Sequence, residues 1–311
     1  MKREGVKSFA RVALVVAAIG ASVVVLATRT GSDGESQPHS PNSVDVVPDS
    51  VAEVPDAVQA LPAAISSAGS DWVVTFDDPF DGSELGPEWT TCYWWQVDGG
   101  CTIASNDEVE WYRPEGVRVA GGILELAATA DPQLTTDGVS LPFRSGMVST
   151  GQPDNDGSAV GFAFTYGYVE AIVRLPDGAG TWPAVWMLSA DRTSLPEIDI
   201  VEHYGDDSTI TSRVHQRVDG ERQSQGIEAT LVPTTDGWHR VGVLWTEERV
   251  EFYLDDILTG VIDDATLVPH TPMYLIVNLA MGGQAGPVDD QALPQQFDID
   301  RIRVWQTKES T

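Results

Sequence analysis

Three acids stand close together in Glu197-Ile198-Asp199-Ile200-Val201-Glu202, separated by β-branched residues that favour an extended strand. Side chains on a strand alternate faces, so Glu197 and Asp199 share one. Glu202 falls on the opposite face of a regular strand, and one extra residue taken up as a β-bulge returns it to the first. Carboxylates sharing a face repel each other and are costly to bury. An acidic exposed strand or a calcium site explains them less well than chemistry does. Two close carboxyl groups in different protonation states are what cleavage of a glycosidic bond needs. One attacks the anomeric carbon, and the other, kept protonated by its neighbours, gives its proton to the leaving oxygen. Retention of configuration requires carboxyl groups about 5–5.5 Å apart. Four pleats of about 3.3 Å separate the end Cα atoms by about 13 Å, a gap that two Glu side chains leaning together over a concave sheet would close. Asp199, between them, would orient the nucleophile and share a proton with it.

The elements that must hold this cluster read as β-strands. Val117–Thr129 places alternating apolar residues on either side of Gly121-Gly122, the pattern of a hairpin. Val241, Val243 and Trp245 alternate, Thr246–Arg249 turns, and Val250, Phe252 and Leu254 alternate again. Tyr168–Leu175, Trp186–Ser189, Met273–Leu279 and Ile299–Gln306 are further expected strands. No long stretch shows a helical repeat, and there is no βαβ alternation. Some 240 residues of short strands suit an all-β, two-sheet jelly-roll sandwich built as one domain.

Charge separates this body from what precedes it. The chain has 311 residues and a formal net charge of −29. Residues 71–311 hold 13 basic and 40 acidic residues and all ten Trp. Such acidity excludes nucleic acid as a partner, because phosphate binding needs clustered Lys and Arg, and it disfavours strongly anionic surfaces and substrates. A hydrophobic content of 42% excludes a disordered chain. None of the five His forms a His-x-x-x-His pair, so a catalytic zinc has no support.

In residues 1–30, Lys2, Arg3, Lys7 and Arg11 precede an uncharged run from Val12 to Thr28. This is an export signal: a signal peptide cleaved after Ala27 or an uncleaved single-span membrane anchor, with the basic end in the cytoplasm. Residues 31–70 carry Gly, Ser, Asp and five Pro with no Phe, Trp or Tyr, and read as a flexible linker. A domain at 71–308 would thus work outside the cell, secreted or anchored to the outer face of the cytoplasmic membrane. Cys92 and Cys101, bracketing Tyr93-Trp94-Trp95, would close a small loop as a disulfide in an exported protein, with free, separate thiols as the alternative.

The motif resembles the signature of glycoside hydrolase family 16 in the bulged form of laminarinases (endo-β-1,3-glucanases), and the resemblance covers about residues 72–307. Asn106-Asp107-Glu108-Val109-Glu110-Trp111-Tyr112, Phe143-Arg144-Ser145-Gly146, Tyr166–Ala171, Gly180–Leu188, Asn278–Gly283 and Ile302–Gln306 resemble further blocks of that family in the same order. The resemblance implies a concanavalin-like jelly roll with a concave cleft, Glu197 as nucleophile, Glu202 as general acid/base and Asp199 assisting. It implies substrate contacts from Trp182, Trp186, His215, Asn106, Glu108 and Asn278. Aromatic faces suit the apolar patches of pyranose rings. Catalysis would need no cofactor. Members often bind a structural calcium, which the resemblance places at Asp300 with the Gly122 carbonyl.

The sequence departs from the pattern at Gln284-Ala285-Gly286-Pro287, where laminarinases often carry Asn-Trp-Pro-Gly. The missing Trp puts one sugar-stacking contact in doubt. The leading expectation is an exported, monomeric, retaining endo-hydrolase of β-glucan, foremost β-1,3-linked. A cell-envelope transglycosylase or a β-galactan hydrolase would use the same residues. A non-catalytic glycan-binding protein fits less well, because such relatives usually lose a catalytic carboxylate.

Overall fold

The computed structural model describes residues 62–66, 72–95, 101–151, 161–205 and 208–308. The apolar run 12–28 and most of the expected linker lie outside these residues. Among the described residues no helix is long and apolar enough to cross a membrane.

Two antiparallel sheets form the body. One, of six strands, runs Glu221–Thr230, Thr209–Val218, Glu197–His203, Thr181–Ser189, Met273–Met281, Met147–Ser149 from edge to edge. The other runs Ile257–Ile262, Val250–Leu254, Trp238–Trp245, Gly167–Arg174, Gln295–Thr307, Ile123–Ala128, Val117–Ala120, with Trp72–Asp78 also paired to Gln295–Thr307. Between them lies one apolar core. Val185, Met187, Ile198, Leu275 and Val277 from the first sheet meet Val169, Val243, Phe252, Phe297 and Ile299 from the second. This is the expected jelly-roll sandwich.

Both expected hairpins are present. Ala120 pairs with Ile123 across Gly121 and Gly122, whose φ angles of 62° and 81° are those a two-residue turn matching the strand twist requires. Trp245 pairs with Val250 across the Thr246–Arg249 turn. The central strands are longer than alternation suggests. Thr181–Ser189 and Met273–Met281 are buried at every residue, because one face meets the core and the other floors a cleft. Such strands carry no polar face to mark their ends. One element falls inside the expected linker: a single helical turn, Ala63–Ser66, whose Ile65 is buried against Tyr168 and Trp305.

Candidate active site

The bulge that the acidic motif requires is present. On one side, Ala184 pairs with Glu202, Val185 with Val201 and Trp186 with Asp199, which leaves Ile200 as the extra residue. On the other side, Asp199 pairs with Arg213 and Glu202 with Thr211, so that two residues face the single Ser212. The cause is burial. Ile198, Ile200 and Val201 all enter the core, and each buried Ile or Val side chain contributes about 1.5–3 kcal/mol. A regular strand that kept Glu197 and Asp199 in the cleft would put Val201 in the cleft and Glu202 in the core. The Ser212 hydroxyl donates to the Ile200 carbonyl at 2.8 Å and satisfies an acceptor that the bulge displaces from the ladder. Glu197, Asp199 and Glu202 therefore share the concave face.

They line a cleft of about 460 Å³. His215 lies directly across from Glu197, with its Nε2 3.2 Å from Asp199 Oδ2 and 3.5 Å from Glu197 Oε1. The Trp182 indole N–H donates to Glu202 Oε1 at 3.0 Å. Burial, reinforced by the charge of Asp199, pushes the Glu197 carboxyl up to about 8, while His215 and Arg222 pull the other way. Burial and the charge of Glu202 hold Asp199 well above the usual carboxylate range. Burial also raises Glu202, against the Tyr204 hydroxyl and the Trp182 indole. Burial lowers His215, which keeps it neutral near pH 7. Three acids crowded this way share protons, so one stands ready as an acid while another is ionised.

The cleft floor follows period two along Thr181–Ser189: Trp182, Ala184, Trp186 and Leu188 face outward, while Val185 and Met187 enter the core. Trp186 donates its indole N–H to Asn278 Oδ1 at 2.7 Å, and Asn278 Nδ2 donates to the Tyr112 hydroxyl at 3.0 Å. An indole is only a donor, which fixes the orientation of the Asn278 amide. Glu108 accepts from Asn106 Nδ2 and from the Ile103 backbone N–H, both at 3.0 Å. Beside it Glu110 is fully buried and accepts from the Met281 N–H at 2.7 Å. Burial and the Glu108 charge raise Glu110 well above the usual range. Gly283 closes the wall where a Cβ would meet Trp182 at 2.9 Å and the Asn106 carbonyl oxygen at 2.6 Å.

Of the nine residues expected to catalyse or bind, eight line the cleft and His215 supports two of them from the neighbouring strand. The structure adds Tyr93, Trp94, Trp95, Arg192 and Arg222 to the lining. Trp95 stacks on Tyr93 with ring centroids 4.5 Å apart. The run of three aromatics between the cysteines was the sequence signal for that platform.

Two expectations outside the cleft need comment. The expected disulfide is absent from the structure, where Cys92 and Cys101 are both thiols and neighbours of each other. Cys101 is instead buried among Tyr93, Tyr112 and Met147, with Sγ 3.5 Å from Met147 Sδ. Burial and the neighbouring Cys92 keep its thiol protonated. At the expected calcium position, Asp300 follows the Ile299–Leu124 pair at a register shift of its strand, close to the Gly122 turn. Its carboxyl is raised by burial against the pull of Arg301 and Arg303. Asp300 and the Gly122 carbonyl would supply two of the six to eight oxygens that calcium takes.

The model of the family described as glycosyl hydrolases family 16 matches residues 132–303. Endo-1,3-1,4-beta-glycanase EglC of Rhizobium meliloti (strain 1021) is 36% identical over 254 residues, which cover 74% of this chain and 51% of that protein. A beta-glucanase of Rhodothermus marinus is 31% identical over 265 residues, 75% of this chain and 85% of that protein. The chain spans about half the length of EglC and of a second Rhizobium meliloti glycanase, ExsH. The laminarinase catalytic domain of Thermotoga maritima MSB8 superposes with a TM-score of 0.65 at 29% identity, covering 76% of this chain and 99% of that one.

Proposed function

The chain belongs to glycosyl hydrolase family 16, and from that premise we propose that it is a retaining endo-hydrolase of β-glucan, acting on chains that contain β-1,3 linkages. The observation that carries this reading is the bulge at Ile200, which sets Glu197, Asp199 and Glu202 on one face of a tryptophan-lined cleft. In the first step Glu197 attacks the anomeric carbon. The glycosidic C–O bond breaks as Glu202 gives its proton to the leaving oxygen. In the second step Glu202, now ionised, takes a proton from water. The hydroxide so formed displaces Glu197 from the anomeric carbon, which restores both groups. Asp199 accepts from His215 and, through its proton sharing with Glu202, balances the charge that passes between the steps.

Similarity to endo-1,3-1,4-beta-glycanase, glucan endo-1,3-beta-glucosidase and endo-beta-1,3(4)-glucanase proteins supports a β-1,3 or mixed β-1,3-1,4 glucan. The basic and apolar N-terminal segment supports action outside the cytoplasmic membrane. The test is reducing-end release from laminarin, lichenan and a β-galactan, with Glu197→Gln as control. Release from either glucan, lost in Glu197→Gln, is expected. Release from the galactan alone, or a fully active Glu197→Gln protein, overturns the reading. Oligosaccharides longer than the starting chains would assign transfer in place of hydrolysis.

A further inference from the structure

The edge strand Glu221–Thr230 is polar and largely exposed, and among the described residues its contribution to the cleft lining is Arg222. The pairing explains how an edge residue reaches the site. Arg213 faces Gly226, His215 faces Ser224, and Arg217 faces Arg222, all on the cleft face. Gly226 and Ser224 are short, which leaves room above His215. Arg217 turns away and donates to the Gly220 carbonyl at 2.9 Å. Arg222 turns inward: its Nη2 lies 3.3 Å from Glu197 Oε1 and its Nε 3.3 Å from His215 Nδ1.

The second contact fixes a tautomer. A guanidinium N–H is only a donor, so Nδ1 of His215 is the acceptor and the ring proton sits on Nε2. That proton points at Asp199 Oδ2 and Glu197 Oε1. Resting on the assignment of Glu197 as nucleophile, we propose that Arg222 is a positioning residue: it favours the ionised, attacking form of Glu197 against the burial that opposes it, and fixes His215 as the Nε2–H donor to the carboxylate cluster. The need for it follows from the other groups that face Glu197. Asp199 and Glu202 on its own strand and the burial of its carboxyl disfavour its charge, and Leu188 opposite it on Thr181–Ser189 offers no charge. On Thr209–Val218, Arg213 pairs with Asp199 and His215 is neutral. The loop residue Arg192 lines the cleft, and the buried Tyr274 lies within reach of the Glu197 charge. Arg222 is the guanidinium seen in contact with the Glu197 carboxyl group.

The side chain of Arg222 is 56% exposed, so its replacement leaves the core untouched. The test compares wild type, Arg222→Gln and Arg222→Lys by the pH profile of kcat/KM on the glucan that wild type cleaves. The acid limb of Arg222→Gln is expected to move up by about one pH unit, the size of one charge at this distance in largely aqueous surroundings. Activity below the limb then falls about tenfold, and the plateau above it stays near wild type. Arg222→Lys, which keeps the charge, is expected to recover most of the limb. Nitrogen-15 NMR of the His215 ring, which needs no substrate, is expected to show the Nε2–H form in wild type and a mixture in Arg222→Gln. An unmoved acid limb, a loss equal at all pH values, or an unchanged tautomer overturns the proposal. If Glu197→Gln is itself fully active, the nucleophile assignment has failed; if Glu197→Gln is dead and the limb is unmoved, only the role of Arg222 has failed.

Discussion

Deleting Ile200 tests the register argument. The shortened strand reads Glu-Ile-Asp-Val-Glu, with strict alternation. Its four steps from Glu197 to Glu202 then match the four steps from Leu188 to Ala184, which these acids already face. On the other side, two steps from Asp199 to Glu202 match Arg213 to Thr211. The three carboxylates keep their face and the bulge disappears. The loss is one core side chain, 1% exposed, and the acceptor of the Ser212 hydroxyl. A buried Ile lost without full collapse costs about 2–4 kcal/mol. In a domain of this size that lowers Tm by about 4–16 °C. Deleting Ile198 instead puts Glu197 and Asp199 on opposite faces and should abolish turnover. Thermal unfolding and reducing-end release, measured on both deletions, decide the matter. A folded Ile200 deletion with no activity, or an Ile198 deletion that retains it, would refute the reasoning.

Three further outcomes follow from the site. Asn278→Ala removes the acceptor of the Trp186 indole and a donor to Tyr112; it should cost about 2–4 kcal/mol in denaturant unfolding and raise KM as Trp186 loses its fixed plane. Trp182→Phe removes a hydrogen bond that favours the ionised form of Glu202. The acid form then persists to higher pH, and the alkaline limb of the rate profile should move upward. Glu197→Gln should abolish activity yet raise stability at alkaline pH. The carboxyl titrates near 8 in the folded protein against an ordinary value of 4.5, so the folded state holds its proton longer and loses stability as pH rises from about 4.5 to about 8. Removing that group should raise stability by up to a few kcal/mol at pH 8, with the gain vanishing near pH 4.5 in Tm measurements.

Much of the site was legible because its chemistry and its strand period coincide. The motif 197–202 needs a bulge, and the core claims Ile200 and Val201 together, as the motif implies. Asn278 lies far in sequence from Asn106 and Glu108, and resemblance, not spacing, brought them to one cleft. Arg222 was illegible. The half of its strand that holds it, residues 221–225, is polar on both faces, so no alternation there says which side chains turn inward. Glu110 carried no role of its own in the sequence, and only folding reveals that it is fully buried and accepts from the Met281 N–H. For the cysteines, spacing and an exported context suggested a bond, and the structure sets Cys101 beside Cys92 and Met147 as a buried thiol.

The central claim is that Glu197 is the nucleophile of a retaining hydrolase. It is tested most directly by trapping the protein with an activated 2-deoxy-2-fluoro β-glucosyl disaccharide and locating the added mass by peptide sequencing. The account predicts one sugar adduct on the peptide 197–202, at Glu197. An adduct on Glu202, or on a carboxylate outside this cluster, would contradict it.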